Sequence, residues 1–186
     1  MRQIVLASGS PRRQKLLEQM GLDVTVVPSD FAEYLDSSRS TEEIAMELGL
    51  GKAQAVAAQY PNAIVIGSDT IVTVGAEQLG KPADIEDARR MWRLITSAPN
   101  KVTSSLAVIC KAEAYEYVTY DNAWVYFKPY NKAAVEAYLA TGDYADKAGA
   151  YAIQNAANLI DRIEGNHDTV LGLPTDLLRQ SLEHFQ

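Results

Sequence analysis

Residues 63–74 read Ala-Ile-Val-Ile-Gly-Ser-Asp-Thr-Ile-Val-Thr-Val. Ala63–Gly67 is a fully apolar run and Thr70–Val74 is wholly β-branched, so the stretch predicts two buried strands interrupted by Gly67-Ser68-Asp69. Strands apolar on both faces need cover on both faces, which points to an α/β sheet flanked by helices. Asp69 then falls at the carboxyl end of a strand, where ligands gather in open α/β sheets. It reads either as a working carboxylate or as a turn aspartate capping the strand junction.

Upstream, Gln3–Ala7 predicts a short buried strand and Pro11–Met20 a helix, with Leu16, Leu17 and Met20 on one face and Gly21 as its stop. The turn between them is Ser8-Gly9-Ser10, with Ser10 expected as N-cap and Pro11 at the first helical position. Unpaired backbone N–H groups and the helix dipole make such a turn an anion site. Arg12 and Arg13 oppose the dipole in the first turn, so either an anion is expected there or both are solvated on an ordinary strand-turn-helix. Asp23–Val27 predicts a second strand, followed by a polar loop containing Glu33. Ser40-x-x-Glu43 is a capping box opening a helix to about Tyr60. Lys52 lies on that helix's apolar stripe of Ile44, Leu48, Ala55 and Val56. A lysine there either meets a carboxylate or ligand anion, or snorkels past small neighbours.

Downstream, a loop with Gly80-Lys81-Pro82 leads to a helix from about Ile85 bearing Ala88, Met91, Trp92 and Ile95. Lys101–Lys111 and Ala114–Lys128 predict a long β-hairpin. Asn131 caps a helix that Gly142 ends, a Gly/Ala-rich stretch runs from Asp146 to Gln154, Asn158–Ile163 predicts a strand, and Pro174 suits the first turn of a final helix. Helices and strands alternate at both ends around a hairpin-rich middle. The expected fold is α/β, with a mixed, strongly twisted sheet and two lobes around a central cleft.

The chain has 186 residues, enough for one well-filled core and a single domain over 1–186. With 47% hydrophobic and 22% charged residues it reads as soluble and globular. No apolar run nears the roughly 18 residues of a membrane helix, and Ile4–Ala7 is too short for a signal peptide. Cys110 is the single cysteine, so no internal disulfide forms, which fits the cytoplasm. A net charge of −7 argues against a nucleic-acid polymer as partner but not against a small anionic ligand. His167 and His184 lack metal-ligand spacing, so zinc and Ser-His-Asp chemistry fit poorly. Two carboxylates, Asp69 and Glu33, and four basic groups, Arg12, Arg13, Lys52 and Lys81, are instead the inventory for metal-assisted attack on a polyphosphate.

Six blocks resemble the Maf family: Leu6-Ala7-Ser8-Gly9-Ser10-Pro11-Arg12-Arg13, Lys52-Ala53, Gly67-Ser68-Asp69-Thr70, Gly80-Lys81-Pro82, Asp146-Lys147-Ala148-Gly149-Ala150-Tyr151 and Gly172-Leu173-Pro174. They stand in the family's order across nearly the whole chain. The resemblance implies a fold like that of inosine triphosphate pyrophosphatases and cleavage of nucleoside triphosphates to monophosphate and pyrophosphate. It implies Asp69 as proton acceptor; Ser8, Ser10, Arg12, Arg13, Lys52, Lys81 and Gln154 at the substrate; and Glu33 with Asp69 at Mg²⁺ or Mn²⁺. Arg12, Thr70 and Gln154 would set base choice and resemble the dTTP/UTP branch, in a cytoplasmic homodimer. A glutamine amide can donate to O4 and accept from N3–H of uracil or thymine. Alternatives are the same reaction on 7-methyl-GTP or ITP, or a nucleotide-binding regulator of cell division with weak turnover. The chain departs from the family in Asn155-Ala156-Ala157 after Gln154, where a glycine-rich turn is usual, and in Asn100–Ser105, which lacks the usual histidine and threonine-glycine pair.

Overall fold

Two long strands, β6 (Asn100–Cys110) and β7 (Tyr115–Phe127), pair along the full length of β6 and form the spine of the molecule. The computed structural model describes residues 2–32 and 38–185. β7 occupies one edge of β6 over its whole length, so everything else that pairs with β6 must share the opposite edge. Two strands do: β3 (Ile64–Gly67) against Ala107–Ile109, and β4 (Thr70–Val74) against Asn100–Ser104, both antiparallel. Their registers are continuous, Gly67 facing Ala107 and Thr70 facing Ser104, so β3 and β4 are one strand interrupted at Ser68-Asp69.

Each half of this spine carries its own layers. Beyond β3 lie β1 (Ile4–Leu6) and β2 (Val24–Val26), both parallel to it in order β2-β1-β3. Side chains alternate faces along these strands. Val5, Val65 and Ala107 pack under α2 (Thr41–Ala57) with Ala53, Val56 and Ala57. Leu6, Ile64, Ile66 and Val108 pack on the other face against Leu16 and Leu17 of α1 (Pro11–Gln19) and Leu178 of α6 (Thr175–Leu182). Beyond β4 lies β5 (Glu77–Leu79), and β8 (Ile160–Glu164) pairs with β7. Here a separate core gathers Val72, Leu79 and Val125 with Met91, Trp92 and Ile95 of α3 (Ile85–Ile95) and Val135, Tyr138 and Leu139 of α4 (Lys132–Leu139). The expected mixed α/β sheet with flanking helices is present, eight-stranded among the described residues. Its two core regions meet along β6.

The Ser40–Glu43 capping box forms in full, and the Asn131 side chain accepts from the Ala134 N–H. Ser10 differs: it occupies the N-cap position of α1, but its hydroxyl makes no capping bond, and its N–H donates instead to Ser8 Oγ at 3.2 Å. Pro174 stands one residue before α6 as its N-cap, not inside the first turn. β5 and α5 (His167–Leu171) are too short for periodicity to announce them. No helix among the described residues is long and apolar enough to cross a membrane.

Candidate active site

Asp69 stands at the strand interruption, and its position follows from the packing of α2 on the sheet. Glycine costs a helix about 1 kcal/mol relative to alanine, yet α2 carries Gly49 and Gly51. A Cβ on Gly49 would lie 2.4 Å from Ser105 Oγ, and one on Gly67 would lie 2.3 Å from the Gly49 carbonyl oxygen. The helix backbone therefore rests directly on the β3–β4 junction. This close approach carries Lys52 to Asp69, Nζ to Oδ1 2.5 Å, with both residues buried. Ser105 fixes the aspartate backbone from below. Its N–H donates to the Asp69 carbonyl at 2.9 Å, as in an ordinary ladder pair, while the Asp69 N–H donates to the Ser105 hydroxyl at 3.0 Å.

A cavity of about 370 Å³ opens over this pair. Ser8, Ser10, Arg12, Arg13, Lys52, Asp69, Thr70 and Lys81 all line it, so eight of the sequence-predicted residues come together in space. Gln154 does not: it is exposed and lies just past the lining residue Ile153. Glu33 lies outside the described residues.

Arg13 is a strut. Its Nε donates to the Gly172 carbonyl at 2.7 Å, one terminal nitrogen to Ser8 Oγ at 2.9 Å and the other to Thr70 Oγ1 at 3.0 Å. Thr70 and Ser104 hydroxyls lie 2.9 Å apart, and Ser104 donates to the Thr169 carbonyl at 2.7 Å. Since Ser104 spends its proton on that carbonyl, Thr70 must donate to Ser104 while accepting from Arg13. Ser68 Oγ also donates to the Gly172 carbonyl, at 2.8 Å. The anion-type turn, the strand interruption and the Gly172 turn are thus tied through one guanidinium.

Arg12 keeps its charge toward the cavity. Burial draws its guanidinium below the ordinary value, with Asp146 and the Tyr138 hydroxyl acting in the opposite sense. Tyr138 is itself pushed up to about 12, mainly by burial. Both arginine and tyrosine hold their usual neutral-pH forms under such shifts. Asp146 and Lys147 also line the cavity.

Sequence reasoning passed over Gly49, Ser104 and Ser105, and gave no role to Asp146 and Lys147. The signals were two glycines inside a helix and a Ser-Ser pair inside an apolar strand. Both patterns mark a close backbone approach or a buried polar link.

A hard divalent cation takes oxygen ligands, and the Asp69 carboxylate offers oxygens of that kind to the cavity. Lys52 engages Oδ1, while no hydrogen bond among the described residues engages Oδ2. No group of three or more His, Cys, Asp or Glu gathers among the described residues. A cation at Asp69 would therefore need further oxygens from outside the described carboxylates, such as those of a substrate or water.

Comparison with known proteins gives the lineage of this arrangement. The family model described as Maf-like protein matches residues 3–185. A dTTP/UTP pyrophosphatase of Symbiobacterium thermophilum is 41% identical over 186 residues, covering all of this chain and 95% of its own. A protein of the same name from Desulforamulus reducens is also 41% identical, covering all of this chain and 97% of its own, and one from Bacillus mycoides is 37% identical, covering 96% of its own. A family match across nearly every residue, with relatives this similar over full length, places the chain in the Maf-like protein family.

Proposed function

We propose that this chain hydrolyses nucleoside triphosphates, dTTP and UTP first among them, to the monophosphate and pyrophosphate. The observation that carries the proposal is the buried Lys52–Asp69 pair on the wall of a cavity also lined by Arg12, Arg13 and Lys81. The names of the full-length relatives support the choice of dTTP and UTP.

In this reading Asp69 accepts a proton from a water that attacks the α-phosphorus. The bond from that phosphorus to the α,β-bridging oxygen breaks, and pyrophosphate leaves with the electron pair. Lys52 holds the carboxylate in place and brings positive charge toward the reacting phosphate. Ser8 and the N-terminus of α1 receive phosphate oxygens, and Arg12 and Lys81 stabilise the charge on the departing group. Arg13 contributes field as well, and its three hydrogen bonds among the described residues also make it a brace for Ser8 and Thr70. Mg²⁺ or Mn²⁺ at Asp69 and Glu33 would polarise the phosphate oxygens and offset their charge.

Arg12, Thr70 and Gln154 belong to the proposal as determinants of base choice. Thr70 acts through Arg13 and Ser104, to which its hydroxyl is committed. Gln154 reaches a base only by turning its exposed side chain inward. A homodimer in the cytoplasm completes the proposal.

The decisive experiment measures pyrophosphate release from dTTP and UTP, with Mg²⁺ or Mn²⁺, by the wild-type chain and by D69N. The proposal expects robust wild-type release and a loss of at least about hundredfold in D69N. Near-normal release by D69N would remove Asp69 from the chemistry. A wild-type protein that spares both pyrimidine nucleotides but cleaves 7-methyl-GTP or ITP would overturn the base assignment alone.

A further inference from the structure

The block Asp146-Lys147-Ala148-Gly149-Ala150-Tyr151 has no part in the chemistry above, yet it forms a wall of the same cavity. Its backbone is unusually constrained. Gly149 has φ +73° and Ala150 φ +60°, so a residue with a Cβ is held in the left-handed region. Such a conformation persists only where its surroundings enforce it, and it clusters at functional sites. Three bonds enforce it here. The Gly149 N–H donates to the Gly80 carbonyl at 3.1 Å, Trp92 Nε1 donates to the Ala150 carbonyl at 3.0 Å, and the Ala152 N–H donates to the Tyr138 hydroxyl at 2.9 Å.

The first of these bonds joins the turn to the loop carrying Lys81. Lys147 therefore enters the cavity from the same wall as Lys81, and that wall belongs to the core region built on Val72, Leu79 and Trp92. Asp69 belongs to the junction under α2. In-line displacement puts attacking and leaving oxygens on opposite sides of phosphorus. With a water at Asp69, the departing group lies on the side of phosphorus away from that water, and Lys81 and Lys147 line the same cavity from a wall other than that of Asp69.

The Lys147 side chain is 16% exposed, while Asp146, its one ion-pair partner among the described residues, is 74% exposed. A mostly buried lysine side chain is thus matched by an aspartate side chain that is mostly in solvent. Pairing with a solvated neighbour is weak and readily exchanged. A polyphosphate offers the same ammonium several charged oxygens at once. Asp146 is the second participant: Lys147 and, more weakly, Arg12 hold its carboxyl below the ordinary range, so it faces two cations at the cavity.

We infer that Lys147 is a further substrate-binding residue, which leaves Asp146 to take the β- and γ-phosphate oxygens of the bound triphosphate. Asp146 holds that place while the site is empty. The inference rests on the pyrophosphatase reading for its substrate, but its test does not depend on turnover.

Inorganic pyrophosphate is titrated calorimetrically, without divalent metal, into the wild-type chain, K147M, K147R and D146N. K147M should bind pyrophosphate at least tenfold more weakly, with K147R restoring part of the loss. D146N should bind at least threefold more tightly, because a competing carboxylate has gone. dTMP, which carries only the α-phosphate, should change less than threefold in K147M. A pair that merely clips the turn would instead weaken pyrophosphate binding in both K147M and D146N. That result, or K147M binding pyrophosphate like the wild type, would overturn the inference, as would a wild-type chain that binds no pyrophosphate. A wild-type chain that binds pyrophosphate but cleaves no nucleotide would overturn the proposed reaction and leave Lys147 judged on its own data.

Discussion

Lys52 Nζ lies 2.5 Å from Asp69 Oδ1, across seventeen residues of sequence and from a helix to a strand interruption. Their side chains are 9% and 11% exposed. Removing one member of such a pair leaves the other charge poorly solvated, a loss of about 3 kcal/mol or more. K52M should therefore fall in both stability and pyrophosphate release. D69N keeps an oxygen for Lys52 and should lose less stability while losing its activity. Denaturant unfolding beside a pyrophosphate assay separates the two. A K52M protein as stable as its parent would show that the pair is not coupled in the way its burial implies.

Gly49 is the permissive element behind that pair. Alanine there gains about 1 kcal/mol of helix propensity, but its Cβ would stand 2.4 Å from Ser105 Oγ. That hydroxyl accepts from the Asp69 N–H, so it cannot yield without loosening the aspartate. Overpacking of this kind costs about 1–3 kcal/mol. G49A should melt at a lower temperature and release pyrophosphate more slowly. An unchanged or raised melting temperature would refute the close-approach account.

Tyr151 offers a change in the opposite direction. Its hydroxyl is buried with no hydrogen-bond partner among the described residues, and burial drives its ionisation well above the ordinary range. Leaving such a group unsatisfied costs about 1–3 kcal/mol. Y151F retains the edge-to-face contact with Phe127 at 4.9 Å between ring centres. It should gain about 1 kcal/mol, read as a higher denaturant midpoint at unchanged slope. A lower midpoint would mean that the hydroxyl is satisfied.

Acid sensitivity has an identifiable contributor in Glu42. Burial raises its carboxyl, but hydrogen bonds from Lys101 at 2.7 Å and Asn122 at 3.2 Å outweigh burial, and the net shift is downward. A carboxylate lowered in the folded state adds stability above its unfolded value, near 4.5. That contribution is lost as pH falls through the folded value. E42Q should be less stable than the parent at neutral pH, and the difference should shrink below about pH 4. Equilibrium unfolding from pH 7 down to about pH 3 reads this directly. A constant difference across that range would contradict it.

The strands other than β5, the long hairpin and the capped helices were legible because each is dictated locally, by apolar or β-branched runs or by a signature such as Ser40-x-x-Glu43. Lys52 was legible in part, since a lysine on an apolar stripe either meets an anion or snorkels, and the Asp69 contact decides for the first. What could not be read was how tightly α2 sits on the sheet. That depends on the meeting of Gly49 with Ser105 and of Gly67 with the Gly49 carbonyl, pairs far apart in sequence. Arg13 shows the same limit. Its charge was visible, but its fork onto Gly172, Ser8 and Thr70 is a product of tertiary geometry, and it adds a bracing contact that the charge alone could not announce. Gln154 reads as a base contact by resemblance, yet its side chain is exposed and outside the cavity lining.

The unbroken register of β3 and β4 along β6 also bears on how the chain comes apart. A cut between the two core regions would sever every strand of the spine midway and expose the amides on both sides. Neither half could be excised as a self-sufficient piece, even though each has its own greasy interior. We therefore expect one heat-absorption peak in scanning calorimetry, with Asp69 losing its surroundings in that same event and not in an earlier, separate opening of one side. Two resolved peaks would show that the spine gives way at its middle, where Asp69 sits.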